Sequence, residues 1–236
     1  MTRKAVLLGV AIALFLAAAG TAFAVLVRHE PAFYRLTARP PGRDRWRMSE
    51  KFKGEAVAFY NNLHGPSPHE TEFTDELINS FLEEGFITSN VAKLLPEDIR
   101  DPRVAIQPDK VRLAFRYGKG LWSTIISIDL RVWLPKSEEN VVALELKGLH
   151  AGSLPISAQS LLERVSETAR QQNLDVTWYR YDGNPVALLR FQADQRSPTF
   201  RLRKLELHPG KIVISGQAID TAVRAYLPSG LQPAAN

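Results

Sequence analysis

The sequence of 236 residues contains no cysteine, which excludes disulfide-stapled folds, thiol nucleophiles, cysteine-ligated zinc and iron–sulfur clusters. Its five histidines are scattered, and the closest pair, His64 and His69, flanks a Gly-Pro-Ser-Pro stretch without metal-binding geometry. The GxSxG, GxGxxG, HExxH and P-loop motifs are also missing. We therefore expect no catalytic residue, metal or cofactor, and predict that the protein is not an enzyme.

Charged residues are absent from residues 5–27, a run of 23 residues dominated by Ala, Leu, Val and Phe. A helix needs roughly 20 apolar residues to cross the roughly 30 Å core of a bilayer. Residues 1–28 are therefore interpreted as a retained signal anchor, or as a signal peptide cut near the A-x-A site at Ala22–Ala24. The run continues through residues 25–27, past that cut, which favours the anchor.

Basic residues flank both ends of this run, and more of them follow it than precede it. The short basic start at Arg3 and Lys4 is nevertheless signal-like, and long downstream domains are translocated largely regardless of their charge. The sequence thus predicts a bacterial-type envelope protein, single-pass in the inner (cytoplasmic) membrane, with its C-terminal domain outside, in the periplasm. If the segment is cleaved, the domain is exported.

The net charge of +5 is unevenly distributed along the chain. Residues 29–53 carry seven Lys or Arg and three Asp or Glu, whereas the residues from 54 onward carry 20 and 22. The basic character belongs to a short strip and not to the body, so we expect no nucleic-acid partner. Residues 29–48, which contain three prolines, are interpreted as a juxtamembrane linker that either contacts anionic lipid headgroups or is simply solvated.

The remaining chain is predicted to form a single α+β domain over residues 49–227, followed by a polar tail at 228–236. In its first part, apolar residues recur three to four positions apart, which is typical of amphipathic helices. The helices predicted from this spacing cover residues 49–63, capped by Ser49, residues 74–85, capped by Thr74, and residues 90–95.

From residue 104 onward the spacing of apolar residues changes to every second position, which is typical of strands. One long helix interrupts them at 157–172. The apolar phase changes between Leu202 and Leu205, which predicts a β-bulge. The predicted strands are 104–106, 111–117, 124–134, 141–149, 174–181, 186–192, 200–207 and 211–216.

These elements predict an N-terminal transmembrane helix, small helices, and a curved, mainly antiparallel sheet wrapped around the 157–172 helix. Long strands with one apolar face need covering, and such a sheet would enclose an apolar groove for an acyl chain. The same side chains would equally form a dry core. The candidate lining residues are Leu113, Phe115, Ile128, Leu130, Val132, Leu144, Leu146, Leu161, Leu162 and Val165.

Three arginines on predicted strands, Arg112, Arg116 and Arg131, alternate with these apolar positions. Arginine at solvent-facing strand positions pairs with acids on the neighbouring strand and blunts aggregation. Arginine also binds phosphate through charge-assisted hydrogen bonds. The three are therefore candidates for lipid-headgroup binding, with cross-strand pairing as the alternative.

Three short signatures resemble envelope proteins of the YpmS-like and LmeA-like kind. Phe73–Leu82 is similar to their early helix, with Ile78 inserted, and Val104–Leu113 is similar to their first hairpin. Gly148 and Gly152, followed by Leu154-Pro155-Ile156, resemble their entry to a central helix. The resemblance covers about residues 70–218 and implies a TULIP-like curved sheet that binds or carries phospholipid or another envelope lipid, without catalytic residues.

Our first functional hypothesis is a non-catalytic envelope protein, anchored through residues 5–27, that binds or transfers a membrane lipid in its apolar groove. The alternative is an anchored scaffold with a dry core and no small ligand, which recruits a partner through a sheet edge or its arginine-bearing face. A hydrolase with a site assembled from scattered residues is the third hypothesis.

Overall fold

The computed structural model describes residues 3–65, 67–86, 88, 98–120, 123–159, 162–163, 165–167, 176–190 and 198–219. The predicted helical piece at 90–95 and the polar tail at 228–236 lie outside the described residues. The elements follow in the order α1 (Arg3–Arg28), α2 (Ala32–Leu36), α3 (Arg43–Asn62), β1 (His69–Thr74), α4 (Asp75–Phe81), a π-helical segment (Leu82–Phe86), β2 (Ile99–Gln107), β3 (Lys110–Tyr117), β4 (Thr124–Trp133), β5 (Val141–Ala151), β6 (Leu154–Pro155), β7 (Val176–Tyr181), β8 (Asn184–Arg190), β9 (Phe200–His208) and β10 (Lys211–Ala218).

Helix α1 is long and apolar enough from Ala11 to Arg28 to cross a membrane, and this part of it is not buried in the protein. A signal sequence near the N-terminus has the same length and composition. The α+β class, with an N-terminal apolar helix and a mostly antiparallel sheet, is therefore confirmed.

The larger of two sheets has the strand order β2-β3-β4-β5-β8-β7, with β6 also paired to β5. Every pairing in it is antiparallel. Lys147 is the extra residue of a β-bulge in β5, because Asp129 pairs with Gly148 and Leu130 with Leu146. We call this seven-stranded unit the large sheet.

The smaller sheet has the order β1-β10-β9. Helix α3 covers it, and the rings of Phe52 and Phe73 lie 5.4 Å apart, centroid to centroid, in an edge-on contact. Phe52 also stacks on Phe81 of α4 at 4.9 Å. Aromatic contacts thus join α3, α4 and β1 into a small core of their own.

Two buried asparagines connect other elements to strand backbones. Asn79 of α4 donates from Nδ2 to the carbonyl of Val104 and accepts from its N–H, both at 2.7 Å. Asn140, just before β5, donates to the carbonyl of Phe200 at 2.6 Å and accepts from the N–H of Leu202 at 2.8 Å. Because a side-chain amide offers both a donor and an acceptor, each asparagine satisfies backbone groups that a strand would otherwise pair.

Several local predictions are confirmed. Thr74 caps α4 by accepting the N–H of Leu77 at 3.2 Å. The phase change in β9 is a bulge at Arg203, since Ser215 pairs with Lys204 and Gly216 with Leu202. The eight predicted strands occur with shifted ends, and β1 and β6 are strands that the periodicity did not predict.

The segment after α1 differs from the predicted linker. Helix α3 begins at Arg43, six residues before the predicted cap, and Ser49 is buried inside it. Within the predicted linker, α2 carries Tyr34, whose side chain is fully buried. Residues 29–48 therefore contain α2 and the start of α3, and two of their side chains, Tyr34 and Thr37, are buried against the rest of the protein.

Candidate functional site

The strands β3, β4 and β5 give the large sheet two unlike faces, because successive side chains point to opposite sides. One face carries a continuous cluster of apolar side chains, which we call the apolar face. Cross-strand pairing brings its members together, as in Leu113 opposite Ile128 and Leu130 opposite Leu146. Its members are Leu113, Phe115, Ile126, Ile128, Leu130, Leu146 and Leu149.

The structure brings together most of the predicted lining residues. Leu113, Phe115, Ile128, Leu130, Leu146 and Leu162 share this cluster. Val132 and Leu144 face each other one cross-strand pair further along. Val165 is 39% exposed, and Leu161 lies outside the described residues.

Described residues of the predicted 157–172 helix contact the apolar face. Ala158 and Leu162 pack against the cluster. Ser166 accepts a hydrogen bond at 2.8 Å from the indole Nε1 of Trp178 in β7. Leu113, Phe115, Ile126 and Leu130 nevertheless stay only partly buried, so the apolar face keeps surface that a ligand can cover.

A cleft of about 340 Å³ opens beside this cluster. Strand β8 pairs with β5 up to Glu145, β6 pairs with it from His150, and the N–H of Ile156 donates to the carbonyl of Leu149 at 3.0 Å. Among the described residues, no strand therefore pairs with residues 146–148 on this side of β5. Leu146, Leu149 and Ala158 belong both to the cluster and to the cleft wall. The polar side chains of the cleft are those of Lys147, His150 and Asn184.

Glu145 lies fully buried next to this polar rim. Its Oε1 accepts from Lys147 at 2.7 Å and from Asn184 at 2.8 Å. Burial raises the pKa of Glu145, but the hydrogen bonds from Lys147 and Asn184 and the charge of Lys147 outweigh it and hold that pKa below its usual value. The rim thus combines a fixed carboxylate with an ammonium that has further protons to donate.

The opposite face of the large sheet carries the three arginines predicted to bind headgroups. Arg112 stands opposite Asp129 and donates to it at 3.0 Å, and its guanidinium lies 4.7 Å from the centroid of the Phe33 ring. Arg116 pairs with Glu30 at 3.5 Å. Arg131 stands opposite Glu145, 3.8 Å from its carboxylate. Strand alternation separates these arginines from the apolar face, and their partners match the alternative of charge pairing.

The segment after α1 covers part of that opposite face. The Tyr34 ring packs against Ala114 and Ile125, and its hydroxyl donates to the carbonyl of Asp101 at 2.9 Å. Arg103 lies over the ring at 4.2 Å and donates to the Tyr34 carbonyl at 2.8 Å. Burial raises the pKa of Tyr34 to about 12, against a smaller lowering by Arg103.

The C-terminal turn of α1 is hydrogen bonded to the ends of β4 and β5. Thr124 Oγ1 donates to the carbonyl of Val27, and the N–H of Ser153 donates to the carbonyl of Leu26 at 2.9 Å. Gly152 has a φ of +61°, and a Cβ at this residue would overlap both carbonyl oxygens. The apolar helix is therefore attached to the large sheet at the start of β4 and just after the end of β5.

Sequence reasoning missed this attachment and the polar rim of the cleft. In the sequence, Gly152 contributes to the family resemblance, but a glycine in a tight turn also marks a close backbone approach. Lys147 could have been found as the residue that interrupts strict alternation between Leu146 and Leu149.

Among the described residues, no group of three or more His, Asp or Glu side chains is placed to hold a metal ion. No protein-family model, curated protein or solved structure matches this chain.

Proposed function

We propose that this protein is a non-catalytic, membrane-anchored protein of the cell envelope that holds a lipid acyl chain on the apolar face of its large sheet. In this proposal α1 is retained as the anchor, the body lies on the periplasmic side, and the 157–172 helix is the central element around which the sheet curves. The resemblance of residues 70–218 to YpmS-like and LmeA-like proteins points to the same kind of ligand.

The observation that carries the proposal is the continuity between the half-buried apolar cluster and the open cleft. Ligand pockets typically measure about 300–1,000 Å³ and combine apolar walls with a few polar groups. The cleft of about 340 Å³, with Leu146 and Leu149 on one side and Lys147 at its rim, has this composition.

The dimensions of the apolar face also suit an acyl chain. The positions Ile126 to Val132 on β4 span about 20 Å at roughly 3.3 Å per residue. An acyl chain covers about 15 Å, which is half of the roughly 30 Å bilayer core. One chain laid along β4 would therefore replace solvent over most of the apolar face.

The rim of the cleft suits the other end of a lipid. Lys147 and His150 line the cleft together with Leu146 and Leu149, and Lys147 shares the Glu145 carboxylate with Arg131. An ammonium and an imidazole can both donate to a phosphate oxygen. We therefore place a headgroup at this rim in the proposal.

The test is native mass spectrometry with lipid extraction on the full chain, comparing Leu162→Asp with Val165→Asp. Both positions are helical, but Leu162 packs on the cluster and Val165 is 39% exposed. We expect wild type and Val165→Asp to carry lipid and Leu162→Asp to lose it, because a carboxylate cannot be buried beside an acyl chain without a partner.

Circular dichroism confirms that each variant is folded before its lipid content is compared. Equal lipid content in the two variants would contradict binding at this face. A folded wild-type chain that carries no lipid would contradict the proposed function itself.

A second candidate function, a scaffold with a dry core, is favoured by one observation. Trp46, Val57 and Tyr60 of α3 are 57%, 60% and 60% exposed, and their spacing places them on one side of the helix. Exposed aromatic side chains are enriched in protein interfaces. The scaffold function would be supported if the wild-type chain carries no lipid but cross-links to a specific partner protein, and if Trp46→Ala loses that cross-link.

A further inference from the structure

The attachment of α1 fixes where the body sits relative to a membrane. The last turn of the apolar span is bonded to the body through the carbonyls of Leu26 and Val27. The span itself runs from Ala11 to Arg28 and is not buried in the protein. The strand ends that hold Leu26 and Val27 must therefore lie where α1 leaves the hydrocarbon.

These strand ends lie side by side at one end of the large sheet, across its strands β3, β4 and β5. Tyr117 at the end of β3 pairs with Thr124 at the start of β4, and Ile126 pairs with Ala151 at the end of β5. We call the residues from Tyr117 to Gly120, Thr124, and the turn Gly152–Ser153 the docked edge. Trp122 lies outside the described residues.

The exposed side chains of the docked edge are of the kinds found at bilayer surfaces. Tyr117 is 41% exposed, and the side chain of Lys119 is 70% exposed although it pairs with Asp98 at 3.6 Å. Tyrosine is enriched at the level of lipid headgroups, and lysine is attracted to anionic lipids.

We infer that α1 is a docked support and not a flexible tether, and that it holds the docked edge in the headgroup layer of the membrane it spans. The apolar face then opens at Phe115 and Ile126 directly toward the bilayer, and the lipid it holds comes from that membrane. This last step rests on the lipid binding in the proposed function, whereas the position of the docked edge rests only on the retention of α1 as the anchor.

The position of the proposed headgroup site agrees with this arrangement. Gly148 at the cleft is four residues from Gly152 along β5 and the turn that follows it, a distance of about 13 Å at 3.3 Å per residue. A lipid could therefore move its acyl chain onto the apolar face while its headgroup stays close to the headgroup layer.

The test measures the depth of single spin labels on the full chain in nanodiscs of phosphatidylethanolamine and phosphatidylglycerol. Lys119→Cys labels the docked edge, and Lys136→Cys labels the exposed loop that follows the far end of β4, as the matched control. The absence of native cysteine removes any background. We expect the label at position 119 to be more accessible to oxygen than to a water-soluble nickel complex, with the opposite order at position 136.

A pair of glycine variants tests whether docking sets this depth. Gly152→Ala places a Cβ against the carbonyls of Leu26 and Val27, whereas Gly183→Ala has a φ of +79° but nothing within 4 Å. Both changes carry backbone strain, but only the first displaces α1. We expect the label at position 119 to shift toward water in Gly152→Ala and to keep its depth in Gly183→Ala.

Aqueous labels at both positions, or a depth at position 119 that Gly152→Ala leaves unchanged, would overturn the inference. Native mass spectrometry separates it from the proposed function. If the chain carries lipid but the label at position 119 is exposed to water, the docking is wrong and the proposed function stands. If the chain is free of lipid but that label lies among the headgroups, the proposed function is wrong and the docking stands.

Discussion

Tyr34 packs the segment after α1 against the large sheet. Its ring fills a site between Ala114 and Ile125, and its hydroxyl satisfies the carbonyl of Asp101. Burying an aromatic ring with a satisfied hydroxyl stabilises a contact without leaving a polar group unpaired. Tyr34 of the predicted linker is therefore part of the core.

We predict that the stability of the full chain in detergent falls as the pH rises from 10 to about 12. The hydroxyl of Tyr34 ionises near 10 when exposed, but burial raises its pKa in the folded chain to about 12. Over that range the unfolded state binds fewer protons than the folded state, so stability is lost with rising pH. Thermal melts at a series of pH values measure this loss.

Tyr34→Phe should abolish this part of the alkaline loss and cost about 1 kcal/mol at neutral pH, because the Asp101 carbonyl loses its donor. Tyr60→Phe, at an exposed position, is the control and should leave the alkaline loss in place. An unchanged profile in Tyr34→Phe would show that the phenol does not carry the pH dependence.

The burial of Tyr34 could not be predicted from the sequence, whereas other single residues could. Thr74 was identifiable as a cap because its hydroxyl acts on an N–H only three residues away. Tyr34 contacts Ala114 and Ile125, which are far away in the chain. No local periodicity records such a contact, and a five-residue helix is too short to show an amphipathic pattern.

At the scale of elements, the Glu83 carboxylate holds α3 and β2 together. It accepts from Arg45 at 2.9 Å and from Arg103 at 2.9 Å, and its own side chain is 7% exposed. Arg45 also binds Glu84 at 2.6 Å and the carbonyl of Arg39 at 3.0 Å. Buried charges of this kind are tolerated only when each is paired.

We predict that Glu83→Gln lowers the free energy of unfolding by roughly 2–4 kcal/mol, because two largely buried guanidinium groups lose their shared carboxylate. Asp44→Asn is the matched control, since it removes an ion pair with Arg47 whose side chains are 86% and 66% exposed. It should change stability by less than about 0.5 kcal/mol. Urea unfolding in detergent compares the two, and similar losses would contradict a buried network.

The strands of both sheets were largely predictable, because alternation at every second position is a local signal that burial on one face imposes. The signal was strong enough to predict the bulge at Arg203. Strand β1 escaped because only Phe73 among its six residues is buried, so its polar alternation resembles a loop. Strand β6 escaped because it has only two residues, Leu154 and Pro155.

At the scale of the whole molecule, basic residues of the segment after α1 form ion pairs with acidic residues of the body. The segment just after α1 is basic and the body is slightly acidic, and the two parts meet in ion pairs such as Arg39 with Glu76 at 3.4 Å and Arg45 with Glu83. The sequence separates these charges without showing which partner neutralises them. Headgroup contact and solvation were the two roles expected for the strip, and pairing with the body is a third.

The candidate site was predictable in part for a similar reason. Strand periodicity identified the apolar positions that lie side by side, including Leu113, Ile128 and Leu130. It could not identify the cleft, which exists because β6 and β8 leave part of β5 unpaired. Nor could it reveal that the docked edge holds α1, because the contact joins residues far apart in the chain and uses the backbone carbonyls of Leu26 and Val27.

The most direct measurement for the account is photocross-linking of the full chain in nanodiscs that contain a phospholipid with a diazirine in its acyl chain. Mass spectrometry then maps the modified residues. Lipid binding by the large sheet predicts adducts on the apolar face, at residues such as Phe115, Ile128 and Leu130, in addition to those on α1. Adducts confined to α1, on a folded chain, would contradict lipid binding by the large sheet.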